Sequence, residues 1–506
     1  MPKIAVIFDC YTVEPAGLGV PPYLSTYARY AYVSLKASGL YDRIAYVTID
    51  DFRAARDLGD KQARACGYTD RLTYSLTNNA EDALELLARA EVIVVIIGDA
   101  VPSIHLHAQN GSLQEIRLAL DQHQGKRVLL GQAANWLRNP SHPEHDLFNG
   151  FHSQSFTSDS LFGQTFNPIS YDQLDGLIHT EFDDFINQIP WQVIAEIEMY
   201  RGCTRKEFCS FCNEPVKNPA VAFRPPDQIL NEISALYRAG VRHFRLGQQA
   251  CFFSYYNRDA GKIELLLSEI RTRCPEIEVL HIDNADPLAV ASPNGRRIAK
   301  LITEYCSEGN CAAMGVETFD LGVIRLNRLV STPDVALKAI SHVEEYGSEF
   351  GPGGQRKLLA GINIIYGLPG ETRWTHFENV KWLNRILDEG HYCHRTNIRQ
   401  AKLFPGTYLE QLQVEASTTA HEDFQCRKRD IEEIYDAPMK ERVFPPSSVL
   451  KDVHAFFINE QGTWFRRLGS YPIQVVDRRQ RFGLYEKADI RVTEYAGRHI
   501  YGEALP

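Results

Sequence analysis

Residues 201–215 read RGCTRKEFCSFCNEP and place Cys203, Cys209 and Cys212 in one loop, directly after a strand-like run. Three thiolates in a single loop can bind three irons of a cubane cluster and leave the fourth iron open to a substrate. A structural zinc site needs a fourth ligand, and none lies close in sequence, since His243 is distant and within a predicted strand. The loop therefore predicts a [4Fe–4S] cluster, with a zinc site and purely structural cysteines as alternatives.

Residues 191–410, which contain this loop, alternate strand-like runs with helical segments such as 226–239 and 333–346. Repeated βα units form barrels whose active sites lie at the carboxyl ends of the strands. Six units are too few for a closed eight-fold barrel, so we predict a partial (β/α)6 barrel. The six strand-like runs are Val193–Met199, Arg242–Leu246, Glu278–Ile282, Ala312–Val316, Leu358–Ile365 and Thr396–Leu403.

Residues 1–140 also alternate apolar runs with helical segments, which predicts a doubly wound, Rossmann-like α/β domain with a parallel sheet. Ligands of such domains bind beyond the carboxyl ends of the strands. The predicted strands are 3–9, 43–50, 91–98 and 127–130, and the predicted helices are 23–38, 82–90 and 113–123.

Two further segments have no clear period. Residues 141–190 are rich in Phe, Ser, Asn and Asp, and we predict a linker or lid there. Residues 411–506 are charged and mixed; we predict a C-terminal α+β extension and consider it a candidate substrate-binding region.

The composition narrows the class of protein. The chain has 506 residues and a net charge of −10, which argues against a nucleic acid as the main partner. It has no apolar run long enough for a transmembrane helix, and its start lacks the features of a signal peptide, so we expect a cytoplasmic protein that does not bind membranes.

The chain has eleven cysteines and no export signal, which argues against a disulfide framework. Outside the loop they are predicted to be small buried hydrophobes, at positions 10, 66, 251, 274, 306, 311, 393 and 426.

The cysteine loop resembles that of the radical S-adenosylmethionine (SAM) superfamily. The usual spacing there is three residues and then two, whereas this loop has five and then two. The resemblance implies a [4Fe–4S] cluster that cleaves SAM, with Phe211, just before the last cysteine, packing on the SAM adenine. The extra residues leave the path of the loop open.

Five further stretches fall at the ends of predicted barrel strands and resemble elements of the same superfamily. They are GQQ (247–249), HIDNADP (281–287), MGVETFD (314–320), GINIIYGLPGET (361–372) and NIRQAKLFPGT (397–407). Alternatively, Glu317 is a surface acid and GLPGET is only a tight turn before a helix. The resemblance implies that SAM is contacted by Phe211, Gln248, Asp283, Glu317, Asn363 and Arg399.

The N-terminal domain resembles the cobalamin-binding domain of the B12-dependent branch of this superfamily. The Asp-x-His-x-x-Gly signature is absent, because the two histidines of IHLHAQNG (104–111) have the wrong spacing, so no histidine is predicted below the cobalt. The alternative is a degenerate domain that binds nothing. The resemblance implies cobalamin contacts at three strand ends, from Tyr11, Leu18, Gly19, Val20, Pro21, Tyr23, Gly98, Asp99, Val101, Gly131, Gln132 and Ala133.

The leading hypothesis from these resemblances is a cobalamin-dependent radical SAM C-methyltransferase that acts on a protein. The opening DCYTVEPAGLGVPPYLSTYARY (9–30) resembles archaeal proteins of this type, and it suggests a glutamine of the methyl-coenzyme M reductase alpha subunit as substrate. An electron donor such as ferredoxin is also implied. The second hypothesis is a radical SAM enzyme with another outcome, such as cyclisation or sulfur insertion, and the third is a non-catalytic metal-binding protein.

Overall fold

The structure is a computed structural model that describes residues 2–12, 19–56, 76–98, 104–105, 108–165, 167–178, 181–412, 421–479 and 482–506. The chain forms two compact units. Unit 1 comprises Met1–Ile197 and Asp227–Phe244, and unit 2 comprises Glu198–Pro226 and Arg245–Pro506. No helix in the described part of the chain combines the length and the apolar character that a membrane span requires.

Unit 1 is built from short strands and helices that alternate along the chain. Its strands are β1 (Ile4–Asp9), β2 (Tyr23–Leu24), β3 (Arg43–Thr48), β4 (Val92–Ile96), β5 (Ile104–His105), β6 (Ala108–Gln109), β7 (Lys126–Leu130), β8 (Gly150–His152), β9 (Gln164–Thr165) and β10 (Ile194–Glu198). Its helices are α1 (Thr26–Ser38), α2 (Ile49–Ala55), α3 (Ala83–Arg89), α4 (Leu113–Leu120), α5 (Ala134–Leu137), α6 (Tyr171–Ile178) and α7 (Asp183–Ile186). The second segment of unit 1 contains the helix α9 (Pro226–Arg238).

Six strands of unit 1 form one sheet in the order β3–β1–β4–β7–β8–β9, and each neighbouring pair is parallel. The sequences IAVIFD of β1 and VIVVI of β4 are buried along their whole lengths. Continuous apolar strands of this kind are typical of parallel sheets that are covered on both faces. The predicted α/β architecture with a parallel sheet is confirmed.

The ends of the predicted elements differ from the structure by a few residues. The strand predicted at 43–50 ends at Thr48, where α2 begins with a capping box. The Asp51 backbone N–H donates to Thr48 Oγ1 at 3.2 Å, and the Thr48 N–H donates to the Asp51 carboxylate at 2.7 Å. These two hydrogen bonds satisfy backbone donors that the first turn of a helix leaves free, so the chain leaves the sheet here.

Residues 141–190, predicted as a linker or lid, contain β8 and β9, which extend the sheet of unit 1. β8 pairs with β7 through Val128 opposite Gly150, and β9 pairs with β8 through Phe151 opposite Gln164. Strands of three and two residues are too short to show the alternation that marks a strand in sequence. This segment therefore contributes to the sheet of unit 1 as well as connecting elements.

Unit 2 contains longer strands and helices, followed by a second group of strands. Its strands are β11 (Tyr200–Arg201), β12 (Ala222–Phe223), β13 (His243–Gly247, which begins in unit 1), β14 (Val279–Ile282), β15 (Asn310–Glu317), β16 (Leu358–Tyr366), β17 (Cys393–Gln400), β18 (Val449–Asn459), β19 (Gly462–Arg466), β20 (Gln474–Asp477), β21 (Lys487–Tyr495) and β22 (Ile500–Ala504). Its helices are α8 (Glu214–Lys217), α10 (Ala260–Arg273), α11 (Pro287–Val290), α12 (Pro293–Tyr305), α13 (Leu321–Leu326), α14 (Pro333–Gly347), α15 (Arg373–Asp388), α16 (Tyr408–Gln411), α17 (His421–Ile431) and α18 (Ala437–Val443).

Backbone hydrogen bonds at the strand ends link the strands of unit 2 in chain order. The Met199 N–H donates to the Gly247 carbonyl at 3.2 Å, and both residues belong to unit 2. The Asp283 N–H donates to the Leu246 carbonyl at 3.1 Å, and the Ala285 N–H donates to the Ala313 carbonyl at 2.8 Å. β15, β16 and β17 then form a parallel sheet. The carboxyl ends of the strands therefore lie along one edge, where the cysteine loop also begins.

Residues 421–506 form two helices separated by a π-helical turn (Glu432–Asp436) and then a closed barrel in the strand order β18–β19–β20–β22–β21. The connection between β19 and β20, which we call the Tyr471 loop (467–471), contacts the strand β14. The Ser470 N–H donates to His281 Nδ1 at 2.9 Å, and the Tyr471 hydroxyl donates to Asp283 Oδ1 at 3.0 Å. The C-terminal barrel thus supplies a side chain to the interior of the βα part of unit 2.

The described cysteines outside the cluster loop follow the prediction of burial with two exceptions. Cys10, Cys251, Cys274, Cys311 and Cys393 are buried, Cys306 is half-buried and Cys426 is exposed. The prediction was wrong for Cys426, which lies on α17, a helix rich in charged residues. Cys66 lies outside the described residues.

Candidate functional site

The loop after β10 and β11 carries Cys203, Cys209 and Cys212, all half-buried and without disulfides. Burial raises the pKa of the Cys209 thiol to about 12 and that of Cys212 to about 11, and it also raises the pKa of Cys203. Thiols bind metals as thiolates, so the positive charge of bound iron would have to offset the burial. The three groups are electrostatically coupled through Cys212, which interacts with both of the others.

Arg205, within the five-residue spacing, holds the first part of this loop. Its Nη1 donates to Cys209 Sγ at 2.7 Å, and its Nη2 donates to the Arg328 carbonyl at 2.6 Å. The longer spacing thus allows a guanidinium group to bridge a cysteine sulfur and the end of α13. Hydrogen bonds to the sulfurs of an iron–sulfur cluster are among the factors that set its reduction potential.

Ser210 anchors the second part of the loop, between Cys209 and Phe211. Its hydroxyl donates to Asn327 Oδ1 at 2.7 Å, and its backbone N–H donates to the Asn327 carbonyl at 3.0 Å. The Asn327 Nδ2 group donates in turn to the Pro369 carbonyl at 2.8 Å. Ser210 and Asn327 are both fully buried, so the cysteine loop and the GLPGET turn are joined through one buried pair.

Replacing Asn327 with alanine is expected to loosen the cysteine loop, because the change leaves Ser210 and the Pro369 carbonyl without their partners. Unsatisfied buried polar groups cost about 1–3 kcal/mol each. We expect a lower unfolding midpoint and a clear loss of the iron that the reconstituted protein retains through gel filtration. Asn294→Ala, a change of the same kind at an exposed residue, is the matched control. Equal iron retention by both variants would contradict the assigned anchoring role.

Glu317 lies at the end of β15 with a side-chain oxygen that has no partner. The register of β15 shifts between Gly315 and Glu317, and Glu317 has φ of 67°. Such bulges re-aim side chains and are common beside active sites. The Oε2 atom is enclosed and makes no hydrogen bond, and burial raises the pKa of Glu317 to about 8, against the opposing charge of Arg399. Glu317 also lies close enough to Cys209 to affect the pKa of its thiol.

The alternative that Glu317 is a surface acid is inconsistent with this environment. A Cβ atom at position 315 would come within 2.7 Å of Glu317 Oε1, so glycine is the residue that leaves room for the carboxylate. An enclosed carboxylate without a hydrogen bond is costly unless a cation pairs with it. The group therefore fits a positively charged ligand, such as the amino group of an amino acid.

Gln248, at the end of β13, has a second enclosed polar atom without a partner. Its side-chain Nε2 makes no hydrogen bond, and its backbone has φ of 53°. An amide N–H fits an acceptor such as a carboxylate. Phe211 is half-buried beside Cys212. Gln248 and Glu317 therefore offer a donor and an anion at the ends of β13 and β15.

Asn363 and Arg399, on the neighbouring strands β16 and β17, are joined by the side chain of Asn397. In one amide orientation the Asn397 nitrogen donates to Asn363 Oδ1 at 3.2 Å, and in the opposite orientation the Asn397 oxygen accepts from Arg399 Nη2 at 3.0 Å. The structure thus brings these two predicted residues together. Arg399 adds a positive charge to the site, near Glu317.

Asp283, by contrast, already has partners within the protein. Its carboxylate forms a buried ion pair with Arg245 and accepts from the Tyr471 hydroxyl. Arg245 also lies 5.6 Å from the centre of the Tyr471 ring. In the structure Asp283 connects the C-terminal barrel to the βα part of unit 2.

The donor set of the cysteine loop fits a cluster. In the described part of the chain, no three His, Cys, Asp or Glu side chains converge on a point that one metal ion could occupy. A cubane cluster distributes its ligands over different irons, so its three cysteines need not converge. The unpartnered atoms of Glu317 and Gln248 fit the amino and carboxylate groups of SAM.

The predicted cobalamin contacts lie at the carboxyl ends of β1, β4 and β7 in unit 1. Leu18, Asp99 and Val101 are outside the described residues. The described ones are buried apart from Gln132, which is half-buried, and the Tyr11 hydroxyl donates to Asp50 Oδ2 at 2.7 Å. Gln132 donates to the Tyr27 hydroxyl at 3.3 Å. The remaining described contacts are Gly19, Val20, Pro21, Tyr23, Gly98, Gly131 and Ala133.

Glycines allow the loops at this edge to approach each other closely. A Cβ atom at Gly98 would lie 2.7 Å from the Thr12 backbone, and one at Gly131, where φ is 117°, would lie 2.3 Å from the Ile97 carbonyl. The close packing of these loops accounts for glycine at both positions. The described polar side chains of the predicted set are already engaged, so a ligand here would depend on shape and backbone groups.

A buried acid, Asp9, lies directly beneath this edge. The Tyr46 hydroxyl donates to Asp9 Oδ2 at 3.0 Å, and the Tyr11 N–H donates to Oδ1 at 2.9 Å. Burial outweighs these two bonds and raises the pKa of Asp9 to about 7. The folded protein therefore holds a proton on Asp9 in a pH range where the unfolded chain has released it.

Replacing Asp9 with asparagine is expected to remove a pH-dependent loss of stability. Between about pH 4 and pH 7, wild-type stability falls as pH rises, because only the folded state still binds this proton. Above pH 7 the loss approaches about 4 kcal/mol at most. When thermal unfolding of both proteins is measured across this range, the unfolding midpoint of the variant should rise relative to that of wild type as pH rises. A difference between the two proteins that stays constant with pH would contradict the assignment.

Comparison with known proteins places the fold and then the family. No family model matches the chain. The structure resembles that of TsrM, a radical SAM methyltransferase from Kitasatospora setae solved with its tryptophan substrate and a SAM analogue. The TM-score is 0.50 and the identity 14%, over 80% of this chain and 75% of TsrM. The two chains therefore share a fold.

Two archaeal proteins match the chain over nearly its whole length. Protein MJ0274 of Methanocaldococcus jannaschii is 33% identical over 99% of this chain and 93% of its own length. A protein of Archaeoglobus fulgidus is 32% identical over 98% of this chain and 89% of its own length. The chain belongs to the family of these two proteins.

Sequence reasoning missed three residues of the site. Arg205 lies within the five-residue spacing between Cys203 and Cys209, and the departure of that spacing from the usual three residues was the available signal. Asn327 is a polar residue after an apolar helical turn, which is a weak signal. Tyr471 had no signal in the sequence, because its partner Asp283 lies 188 positions earlier in the chain.

Proposed function

We propose that the protein is a cobalamin-dependent radical SAM C-methyltransferase that methylates an unactivated sp3 carbon of a protein. The observation that carries the proposal is the enclosed carboxylate oxygen of Glu317, Oε2, which has no hydrogen-bond partner and lies near a loop with three cysteines. A cationic amino acid ligand next to an iron–sulfur cluster would satisfy both groups. The TsrM-like fold supports the same class of enzyme.

Cys203, Cys209 and Cys212 would hold the [4Fe–4S] cluster. When bound, the cluster would supply the electron that cleaves SAM into methionine and a 5′-deoxyadenosyl radical, and that radical would take a hydrogen atom from the substrate carbon. Arg205 donates to Cys209 Sγ, and Ser210 fixes the loop through Asn327. These residues orient the three sulfurs without being ligands themselves.

SAM would be held at the carboxyl ends of β13 and β15. The Glu317 carboxylate would accept from the SAM amino group, and the Gln248 Nε2 group would donate to the SAM carboxylate. Phe211, beside the last cysteine, would pack against the adenine. Arg399 and Asn363 would offer polar groups from the neighbouring strands.

Cobalamin would bind at the carboxyl edge of the sheet in unit 1, where it supplies the methyl group. The chain passes from β1 to β3 on one side and to β4 on the other, so the strand order reverses between β1 and β4. Ligands of open α/β sheets bind at such a reversal. The loops after β1 and β4 meet there through Gly98. The candidate substrate is a glutamine of the methyl-coenzyme M reductase alpha subunit, and the support for it is the resemblance of the opening sequence.

The test is anaerobic reconstitution with iron, sulfide and hydroxocobalamin, followed by turnover with reductant and SAM carrying a labelled methyl group. A peptide that spans the reductase glutamine is included, and the products are read by mass spectrometry. We expect 5′-deoxyadenosine together with a peptide heavier by one labelled methyl group.

Other outcomes would separate the parts of the proposal. Deoxyadenosine with retained cobalamin but an unmodified peptide would reject this substrate and keep the enzyme class. Deoxyadenosine without cobalamin binding would favour a radical SAM enzyme with another outcome. A cluster-loaded protein that forms no deoxyadenosine would overturn the proposal.

A further inference from the structure

The surface around the cysteine loop carries exposed positive charge, although the chain as a whole has a net charge of −10. Four exposed basic residues have no ion pair among the residues that the structure describes. Clustered basic residues on an acidic protein create a local field that can attract an acidic partner. The four are Lys206, Arg325, Arg328 and Arg373.

Contacts already described bring these four residues to one surface. Lys206 is in the cysteine loop, and its neighbour Arg205 donates to the Arg328 carbonyl at 2.6 Å. Asn327, between α13 and Arg328, donates to the Pro369 carbonyl of the GLPGET turn. At the start of α15, the Thr375 hydroxyl donates to the carboxylate of Asp320, the N-cap of α13, at 2.7 Å. Helix α13, the start of α15 and the cysteine loop therefore adjoin one another.

Large apolar side chains are exposed on the same two helices. Leu321 and Leu326 on α13 are 51% and 43% exposed, and Trp374 and Phe377 on α15 are 60% and 56% exposed. The rings of Trp374 and Phe377 meet edge to face at 6.1 Å, and Arg373 lies 5.3 Å from the centre of the Trp374 ring. Exposed aromatic groups with arginine are typical of the energetic centres of protein interfaces.

We propose that this surface, which we call the α13–α15 surface, docks a small acidic protein that carries one electron to the cluster. The inference rests on the proposed function, because it requires a cluster in the adjoining loop. The reduced centre of the carrier loses one electron and the cluster gains it, with no bond made or broken. The four unpaired basic residues provide the charge complementarity, and the apolar groups provide the contact area.

The location explains why an electron carrier is preferred over another acidic protein. Electron transfer requires the donor to approach the cluster closely, and the loop that holds the cysteines forms part of this surface. A protein substrate must place its reacting carbon at the carboxyl ends of the strands, beside Glu317 and Gln248, whereas an electron carrier needs only to approach the cysteine loop from outside. Substrate docking on this surface is the competing outcome of the test.

The test measures how fast the cluster of the reconstituted full chain is reduced, followed by its absorbance in a stopped-flow instrument. The donors are reduced ferredoxin of net negative charge and photoreduced deazaflavin, which is small and uncharged. We expect the double variant Arg325→Glu/Arg373→Glu to slow reduction by ferredoxin about tenfold or more at low salt. Its reduction by deazaflavin should equal that of wild type, and raising the salt should narrow the difference.

A matched control changes the same charge elsewhere. Lys451→Glu/Arg491→Glu alters two exposed basic residues of the C-terminal barrel and should leave both rates unchanged. Trp374→Ala should slow ferredoxin alone, without changing the salt dependence.

Two results would overturn the inference. The first is equal slowing with both reductants, which would place the defect in the cluster or the fold. The second is an unchanged ferredoxin rate, and weaker binding of the protein substrate in that case would assign the surface to the substrate. Cluster reduction does not require SAM cleavage, so a failure of the proposed reaction is recognised separately.

Discussion

Replacing Cys209 with serine is expected to abolish cluster binding and reduce 5′-deoxyadenosine formation to undetectable levels. A serine hydroxyl is a much weaker ligand for iron than a thiolate at neutral pH, and the loop has only three cysteines. Cys209 is also the sulfur to which Arg205 donates, so the change removes the contact that holds the first part of the loop. Iron and sulfide content, absorbance and electron paramagnetic resonance of the reconstituted protein measure the effect.

Cys426→Ser is the matched control, because Cys426 is exposed on α17 and outside the cysteine loop. It should retain the full iron content and activity of wild type. Wild-type iron content and an unchanged resonance spectrum in the Cys209 variant would show that the cluster is not held by this loop. Loss of iron in both variants would point to general oxidation.

Replacing Glu317 with glutamine is expected to weaken SAM binding by roughly 10- to 100-fold, the value of one hydrogen bond to a charged group. The change keeps the shape of the side chain and removes its negative charge. Because the carboxylate is enclosed without a partner, the free variant should be at least as stable as wild type. Calorimetric titration with SAM and thermal unfolding, both on reconstituted protein, measure the two effects.

The combination of weaker binding and undiminished stability is what identifies a ligand contact. A purely structural role for Glu317 predicts lower stability with SAM affinity unchanged or reduced in proportion to the unfolded fraction. Glu304→Gln, at an exposed position on α12, should change neither quantity. Unchanged SAM affinity in the Glu317 variant would remove this residue from the site.

Strongly periodic segments were predictable from sequence, and short or irregular ones were not. The buried runs IAVIFD and VIVVI identify strands because only a covered parallel sheet buries every residue of a strand. Strands β8 and β9 have three and two residues, too few to show a period. The closed C-terminal barrel is defined by pairings between distant strands, which no local pattern reports.

The residues of the candidate site likewise include some that could be predicted from sequence and some that could not. The cysteine loop was predictable because three ligands lie close together in sequence, and Glu317 because it follows a recognisable strand. The role of Asp283 depends on two partners, Arg245 and Tyr471, that only the folded chain brings to it. The predicted SAM and cobalamin contacts remain predictions, and the structure adds which of their polar atoms are still unpartnered.

The Tyr471 loop limits how this protein can be shortened or recombined. A chain ending near residue 410 would lose the tyrosine that satisfies Asp283 and the backbone N–H that satisfies His281, both of them buried in the βα part of unit 2. Buried polar groups without partners destabilise the part that remains. The C-terminal barrel is therefore not an exchangeable module: a relative's barrel could be grafted only together with matching residues on β13 and β14.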